Sequence, residues 1–196
     1  MDKSKALCDL ERQCHNCRRC AIGGKLIQTK KGEFLSNVFS NMCLKARIMV
    51  VGQNPGAREV EQGRPFVGPS GTFFDKATKE VLGLDRSSFY ITNTVRCFTP
   101  GNRRPTDEET SMCRDFLQKE VAVIDPVVIV TLGGPALKQI TGQRGITKVH
   151  GERLYSPQYG KPVLPLYHTS PLNMRSQEKR EEFYRALGKL ADLLDG

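Results

Sequence analysis

Arg47-Ile48-Met49-Val50-Val51 runs directly into Gly52-Gln53-Asn54-Pro55-Gly56, and this junction decides the fold. The apolar, β-branched run predicts a buried strand, and the glycine and proline residues after it stop that strand. A second junction of the same kind lies far along the chain, where the apolar residues 162–167 precede His168-Thr169-Ser170-Pro171-Leu172-Asn173. Ligand sites lie at the carboxyl ends of parallel strands, so the two loops are expected to hold a planar polar ligand between an amide and an imidazole.

The rest of the chain alternates between strand and helix patterns. Phe89 to Thr92 and Val127 to Leu132 predict two further strands. Helical patterns cover residues 5–13, 72–82, 106–123, 133–140 and 177–194, and Thr106 with Glu109 predicts a capping box. Residues 142–156 predict a loop or a hairpin. This order indicates an α/β fold, a three-layer α/β/α sandwich with a central, mainly parallel four-stranded sheet, and residues 1–196 are expected to form a single domain.

The charge balance favours an acidic partner. The net charge is +9 and the pI is about 9.3, which favours a polyanionic partner, although a basic but inert surface would have the same charge. Basic residues are spread along the whole chain, which predicts a folded basic face rather than a disordered basic arm. The charged N-terminal residues 1–12 lack the apolar segment of a secretion signal, and no apolar run is long enough for a bilayer. We therefore expect a cytoplasmic, membrane-free and monomeric protein.

Seven cysteines in an intracellular chain favour metal ligands or reduced thiols over disulfides. Cys14 and Cys17 form a C-x2-C pair, and Cys97 and Cys113 form a wider pair. Four thiolates can close a zinc site or hold the corners of an iron–sulfur cluster. Taken alone, Cys97 and Cys113 could equally be ordinary buried thiols, and Cys20, which extends the first run, is a rival ligand.

Taken together, these motifs resemble the uracil-DNA glycosylase superfamily, most closely its iron–sulfur branch, family 4. The matching segments follow the order of the family and cover nearly the whole chain: Cys14 with Cys17, Gly52 to Gly56, Gly63 to Gly68, Thr92 to Cys97, Pro100 to Pro105, Cys113, and His168 to Asn173. The resemblance implies a [4Fe-4S] cluster on Cys14, Cys17, Cys97 and Cys113, with Cys20 outside it and zinc as the alternative occupant. The first motif is atypical, because Gln53 stands where family 4 usually carries an acidic residue and Asn54 where it carries a small one.

The resemblance also implies how a flipped-out base is recognised. Phe66 would stack on the base, and the Asn93 amide would accept from uracil N3–H and donate to O4. Cytosine presents the opposite pattern at this edge and would leave both groups unpaired. Glu59 aligns with an acidic residue near the C5 edge of the base, where it would limit the access of thymine. Asn102 matches a family position close to the site.

For the chemical step, His168 would donate to uracil O2 and stabilise the departing anion. Asn54 would orient the attacking water, assisted by the backbone N–H and side chain of Gln53. Gly56 belongs to the small residues whose backbone N–H groups can bind phosphates. Leu172 would wedge into the gap left by the flipped base, with Met174 as a rival wedge.

The predicted function is a monofunctional DNA glycosylase that flips uracil out of DNA and excises it, leaving an abasic site. Its substrate would be DNA that contains uracil or another damaged base. Two alternatives stay open at this point. The unusual first loop would suit a glycosylase that prefers other deaminated bases, such as hypoxanthine or xanthine. A non-catalytic, metal-stapled nucleic-acid-binding protein would show salt-sensitive binding without cleavage.

Overall fold

The computed structural model describes residues 2–195, so the two ends of the predicted domain, residues 1 and 196, lie outside the described part. The strands are β1 (Leu26–Thr29), β2 (Gly32–Leu35), β3 (Ile48–Gly52), β4 (Phe89–Asn93), β5 (Val128–Leu132), β6 (Leu154–Ser156) and β7 (Lys161–Leu166). The helices are α1 (Lys3–His15), α2 (Ala57–Gln62), α3 (Pro69–Leu82), α4 (Asp107–Ile124), α5 (Gly134–Thr141), α6 (Ile146–Val149), α7 (Gln177–Gly188) and α8 (Leu190–Asp195). Short 3-10 turns cover Arg86–Ser88 and Pro100–Asn102.

The central sheet has the strand order β4-β3-β5-β7-β6. Strands β4, β3, β5 and β7 are parallel, and they are the four strands that the sequence predicts. In the register of the sheet, Gly52 lies opposite Asn93 and Leu132 lies opposite Leu166, so these strands end at one common edge. The loops that follow β3, β4, β5 and β7 therefore meet there.

The expectation of four strands is short by one, because β6 pairs antiparallel with β7 at the edge of the sheet. This strand is only Leu154–Ser156, too short for its alternation to stand out in the sequence. It forms a hairpin with β7, but the rest of the segment 142–156, predicted as a loop or a hairpin, consists of loop and the short helix α6, which was not predicted. A separate two-stranded sheet of β1 and β2 was not predicted either.

Alternate residues of the strands build a core on each face of the sheet. Ile48 and Val50 pack with helices α3, α7 and α8, whereas Met49 and Val51 pack with α1, α4 and α5. Both faces of the parallel strands are covered, which explains why these strands read as continuous apolar runs. Each large apolar side chain buried in this way contributes about 1.5–3 kcal/mol of transfer free energy.

Two helix ends bear on the predictions. Thr106 Oγ1 accepts from Glu109 N at 3.1 Å and Glu109 Oε2 accepts from Thr106 N at 2.8 Å, so the predicted capping box is confirmed. The helix predicted over residues 177–194 is interrupted, because Lys189 N bonds the carbonyl of Ala186 in a tighter turn that separates α7 from α8. Among residues 2–195, no helix is both long and apolar enough to cross a membrane.

Candidate active site

A cleft of about 430 Å³ opens at the carboxyl edge of the central sheet, within the range of small-molecule sites, ~300–1,000 Å³. The amide-bearing loop after β3 and the imidazole-bearing loop after β7 both line it, as the sequence predicted. Every residue predicted to be catalytic or substrate-binding lines this cleft, although the role of each stays a prediction. These residues are Gln53, Asn54, Gly56, Glu59, Phe66, Asn93, Asn102 and His168.

The Asn93 side chain lies in this cleft at the end of β4 with only 1% of its surface exposed. Neither its Oδ1 nor its Nδ2 has a hydrogen-bond partner within residues 2–195. A buried amide without partners costs roughly 1–3 kcal/mol for each unpaired group, so it is available to a ligand that pairs with it. Gly52 makes room for it, since a Cβ there would lie 2.5 Å from Asn93 Oδ1 and 2.6 Å from the Phe66 ring.

Phe66 contributes an aromatic wall, and its backbone adopts an uncommon conformation with φ of 53°. The Phe66 ring centroid lies 6.4 Å from that of His168, with the rings tilted by 39°. Gly71 is required beneath this loop, because a Cβ at that position would lie 1.7 Å from the carbonyl oxygen of Phe66. The position of the aromatic ring is therefore fixed by close backbone packing.

Arg86 clamps the same loop and was missed in the sequence. Its guanidinium donates to the carbonyl oxygen of Phe66 at 3.0 Å and to that of Pro65. It also donates to both carboxylate oxygens of Asp75, at 3.1 and 3.2 Å. This clamp joins α3, the turn before β4 and the loop of residues 63–68 that carries Phe66, called the aromatic loop. Because the clamp joins three separate segments, no local motif could have revealed it.

Glu59 joins two loops of the cleft. Its Oε1 accepts from the backbone N–H groups of Val67 at 2.9 Å and Gly68 at 2.7 Å, and its Oε2 accepts from that of Gly56 at 3.1 Å. The carboxylate is thus engaged by three backbone donors. These contacts fix the shape of the cleft. That Glu59 limits the access of thymine stays a prediction.

His168 follows β7, and its ring orientation is fixed by the local turn. The backbone N–H of Ser170 donates to His168 Nδ1 at 3.1 Å, so in the neutral ring the proton belongs on Nε2. Burial lowers the pKa of His168 below its ordinary value, against the opposing effect of the Glu59 charge. Asn173 Nδ2 donates to the carbonyl oxygen of His168 at 3.0 Å and closes the turn. The arrangement favours a neutral imidazole whose Nε2–H can donate to a ligand.

Asn54 is held through its amide nitrogen. Nδ2 donates to the carbonyl oxygen of Pro55 at 3.1 Å and makes longer contacts of 3.4 Å to Thr99 Oγ1 and Asn102 Oδ1. Within residues 2–195, no protein donor contacts Asn54 Oδ1, which leaves this oxygen for a water molecule.

Gln53 is held in place through its backbone. Its carbonyl oxygen accepts from Val95 N at 2.9 Å and from Thr94 Oγ1 at 2.8 Å, which ties the loop after β3 to the end of β4. Gln53 also lines the two grooves next to the cleft. It therefore stands at the border between the cleft and the surface beside it.

The two candidate wedge residues differ sharply in exposure. Leu172 is 77% exposed in the turn after His168, whereas Met174 is 5% exposed and packs in the core beneath α7. Only Leu172 of these two is available to contact a partner at the surface. Its role as a wedge stays a prediction.

A basic groove adjoins the cleft and shares Gln53 with it. Four cations line this groove: Arg104, Arg114, Lys138 and Arg144. Lys138 pairs with Asp107 at 2.7 Å, and the other three form no ion pair within residues 2–195. The groove thus offers uncompensated positive charge beside the cleft.

The predicted metal ligands meet in a pocket lined by residues of α1, of α4 and of the loop after β4. Cys14, Cys17, Cys97 and Cys113 line one small pocket, and Cys20, which the resemblance places outside the ligand set, lines it too. Burial and the neighbouring Cys113 raise the pKa of Cys97 to about 12, so its thiolate needs a nearby positive charge. Within residues 2–195, no three His, Cys, Asp or Glu side chains are grouped closely enough to hold a single metal ion.

Fold and cleft together define an α/β enzyme whose site lies at the carboxyl edge of a parallel sheet, suited to a planar polar ligand and flanked by cationic surface. The family model of the uracil DNA glycosylase superfamily matches residues 39–191. The chain belongs to this superfamily, and the resemblance predicted from the motifs is confirmed.

Several curated relatives of this chain are named type-4 uracil-DNA glycosylase. The chain is 42% identical over 140 residues to the type-4 uracil-DNA glycosylase of Thermotoga maritima, which covers 70% of this chain and 72% of the relative. It is 37% identical over 156 residues to the type-4 uracil-DNA glycosylase of Sulfurisphaera tokodaii, covering 75% and 71% of the two chains. The chain is 33% identical over 196 residues to the type-4 uracil-DNA glycosylase of Archaeoglobus fulgidus, and this match covers 96% of this chain and 94% of the relative.

Proposed function

We propose that this chain is a hydrolytic, monofunctional DNA glycosylase that flips uracil out of DNA and excises it, the first step of base excision repair. The observation that carries the proposal is the buried, unpartnered amide of Asn93 in a cleft shared with Phe66 and His168. The type-4 uracil-DNA glycosylases that match most of the chain support the same activity.

Base choice follows from the pairing capacity of Asn93. Its amide oxygen accepts from uracil N3–H and its amide nitrogen donates to O4, while the ring of Phe66 stacks on the base. Cytosine offers an acceptor at N3 and a donor at the neighbouring amino group, so it leaves the buried amide unpaired. A site built to bond one edge in this way rejects the wrong partner by on the order of 10⁴.

The chemical step needs stabilisation of the leaving uracil anion. His168 Nε2–H donates to uracil O2 as negative charge develops there, and one preorganised donor of this kind lowers the barrier by roughly 3–4 kcal/mol. Asn54 Oδ1 orients the water that attacks the cation-like sugar. Among residues 2–195, Glu59 is the only carboxylate that lines the cleft, and it is engaged by three backbone N–H groups, so we propose that the reaction proceeds without a strong general base.

The described residues of the cleft also support a monofunctional reaction. No lysine lines the cleft within residues 2–195, so no amine is available to form a Schiff base with the sugar. Water is then the nucleophile, and the product is an intact abasic site. Strand scission would require a separate treatment such as alkali.

The test is a single-turnover assay on a labelled oligonucleotide with one uracil, followed by alkali. The wild type is expected to give scission at uracil, and Asn54→Ala, Asn93→Ala and His168→Ala are expected to lose at least about 100-fold in rate. Gln158→Ala, in the exposed turn at the amino end of β7, serves as the matched control. Absence of scission by the wild type, with an active reference enzyme in parallel, overturns the function, and wild-type rates in all three variants overturn the roles.

The same assay decides between the alternatives. Because Gln53 and Asn54 replace the usual first-loop residues, hypoxanthine and xanthine oligonucleotides belong in the panel. Faster excision of either base than of uracil would move the proposal to that substrate. Binding to DNA without cleavage of any base would instead support the non-catalytic alternative.

We further propose that Cys14, Cys17, Cys97 and Cys113 hold a [4Fe-4S] cluster, which ties the N-terminal segment to the loop after β4. Thiols that share one pocket without any close group of three suit a cube of four irons better than a single zinc ion. Bound there, the cluster would have a structural role, as a cross-link between these two segments. Iron and acid-labile sulfide analysis with an absorption spectrum tests this, and a colourless, zinc-loaded protein overturns it.

The remaining expectations follow from the proposed substrate. Uracil-containing DNA as partner implies an intracellular protein, and we propose that it acts as a monomer within a single domain. Size-exclusion chromatography with light scattering, with and without a short duplex, checks the monomer.

A further inference from the structure

Arg96 is a fully buried cation whose hydrogen-bonding capacity is only partly used. It follows the end of β4, immediately before Cys97, and only 1% of its side chain is exposed. Nη2 donates to Glu120, while Nε and Nη1 have no partner within residues 2–195. One face of the guanidinium lies 5.9 Å from the centre of the Phe39 ring. A buried charge with unpaired N–H groups is costly, so the two free donors require an explanation.

The surroundings of Arg96 supply one. Arg96 lines the same pocket as the thiols of Cys14, Cys97 and Cys113. The guanidinium therefore borders the same small space as the sulfur atoms.

The other side of Arg96 is fixed by a carboxylate. Glu120 on α4 is also fully buried, and it accepts from Tyr90 Oη at 3.0 Å and from Thr92 Oγ1 at 3.2 Å as well as from Arg96. Its two oxygens are thus held by three donors that belong to β4 and to Arg96. This network holds the guanidinium in one place and leaves Nε and Nη1 for the thiol pocket.

We propose that Arg96 donates hydrogen bonds to the sulfur atoms of the group held by the cysteines, and that Glu120 positions it. The inference rests on the proposed cluster. Four thiolates give a bound [4Fe-4S] group a net negative charge, and hydrogen bonds to its sulfur atoms help set its reduction potential and retention. Arginine suits this place because its donors are spread over three nitrogens in one plane and can reach Glu120 and the sulfur atoms at once, whereas the three N–H donors of lysine all lie on one nitrogen.

The experiment compares anaerobically purified wild type, Arg96→Gln, Arg96→Lys and Glu120→Gln. Lys119→Gln is the matched control, since it removes a positive charge from the exposed face of the same helix, next to Glu120. Three quantities are measured: iron and sulfide per chain, the rate at which the cluster absorbance decays in air, and the reduction potential. Arg96→Gln is expected to lose its cluster about tenfold faster, the low end of outer-shell effects on metal sites, and to have a lower potential. Arg96→Lys and Glu120→Gln should lie between it and the wild type, and Lys119→Gln should match the wild type.

The outcomes separate this inference from the proposed cluster. Wild-type protein without iron overturns the cluster and this inference with it. Iron-loaded wild type together with folded Arg96 variants of unchanged decay rate and potential overturns this inference alone. If circular dichroism shows Arg96→Gln to be unfolded, the decay rate and potential of Arg96→Lys decide, because this variant keeps the charge and removes only the forked donor.

Discussion

Asn93 and Glu59 show how differently two polar side chains are used within one cleft. In the described part of the chain, the amide oxygen and nitrogen of Asn93 have no hydrogen-bond partner, whereas both carboxylate oxygens of Glu59 accept from backbone N–H groups. A buried side chain whose polar atoms lack hydrogen-bond partners is available to bind a ligand. A side chain whose polar atoms already have protein partners stabilises the local structure instead. This contrast supports the proposed role of Asn93 in base recognition and a role for Glu59 in holding together the loops that it joins.

The clamp of Arg86 on the aromatic loop leads to a first prediction. Arg86→Gln removes the fork that holds the carbonyls of Pro65 and Phe66, so Phe66 is expected to lose its fixed position. Small misplacements of this kind cost up to ~100-fold, so kcat/KM for uracil excision is expected to fall towards that limit. Steady-state kinetics on a uracil oligonucleotide measure it. Lys79→Gln removes a neighbouring but exposed pair with Asp85 and serves as the control, and equal kinetics for both variants would contradict the clamp.

The environment of His168 leads to a second prediction, on pH. Because burial lowers its pKa below the ordinary value of 6.5, the neutral ring persists to lower pH than in an exposed histidine. Protonation would place a proton on Nδ1, facing the N–H of Ser170, so activity is expected to fall only below the ordinary range. Glu59→Gln removes the charge that raises this pKa, so the acid limb should move further down. A pH profile of kcat/KM whose acid limb lies above 6.5, or rises in Glu59→Gln, would count against this assignment.

At the scale of the elements, the parallel strands and the capped helix were predictable, while other elements were not. Strand β3 is buried on both faces, and a continuous β-branched run is the direct signature of that environment. The capping box at Thr106 is likewise a local signal. Strand β6 and the β1–β2 hairpin are short and partly exposed, so their pairing depends on tertiary context that periodicity does not encode.

The same distinction holds within the site. The Asn54 and His168 loops follow strands, and the register of a parallel sheet brings such loops together, so their meeting was predictable. Arg86 and Arg96 were not singled out, because their partners Phe66 and Glu120 lie on elements that only the folded chain brings near. The free donors of Arg96 become visible only when burial and partners are counted together.

The junction between the aromatic loop and α3 gives a third prediction. Gly71→Ala is expected to destabilise the protein by about 1–3 kcal/mol, since its Cβ would lie 1.7 Å from the carbonyl oxygen of Phe66 and backbone must move. Gly134→Ala is the matched control, because nothing lies within 4 Å of the added Cβ at the start of α5. The control should be neutral or more stable by up to ~1 kcal/mol, as expected for a lower entropy of the unfolded chain. Urea denaturation of both variants measures the difference, and equal stability would show that the loop yields without cost.

At the scale of the whole molecule, the sheet gathers two kinds of surface at one edge. The cleft is lined by side-chain amides, one imidazole and one charge of each sign, on Arg58 and Glu59, whereas the adjoining groove presents Arg104, Arg114 and Arg144 without ion pairs within the described chain. Contacts to base edges determine which base is recognised, whereas contacts to phosphates position the protein on the DNA. We therefore propose that this groove, which carries part of the net charge of +9, holds the DNA backbone while the base enters the cleft.

The proposed separation between a cleft that recognises the base and a groove that binds the DNA backbone leads to the last prediction. Arg114→Gln and Arg144→Gln are expected to weaken binding to DNA of any sequence and to reduce the slope of log K against log salt by about 1 for each phosphate that the variant no longer neutralises. The ratio of excision rates for uracil over cytosine should stay unchanged, because neither residue lines the cleft. Lys45→Gln, exposed before the amino end of β3 and thus at the opposite edge of the sheet, is the control. Fluorescence anisotropy on uracil-free duplexes over a range of salt concentrations measures the slope independently of catalysis. A groove variant that binds with the slope of Lys45→Gln would place the DNA backbone elsewhere on the molecule, even if uracil excision itself were intact.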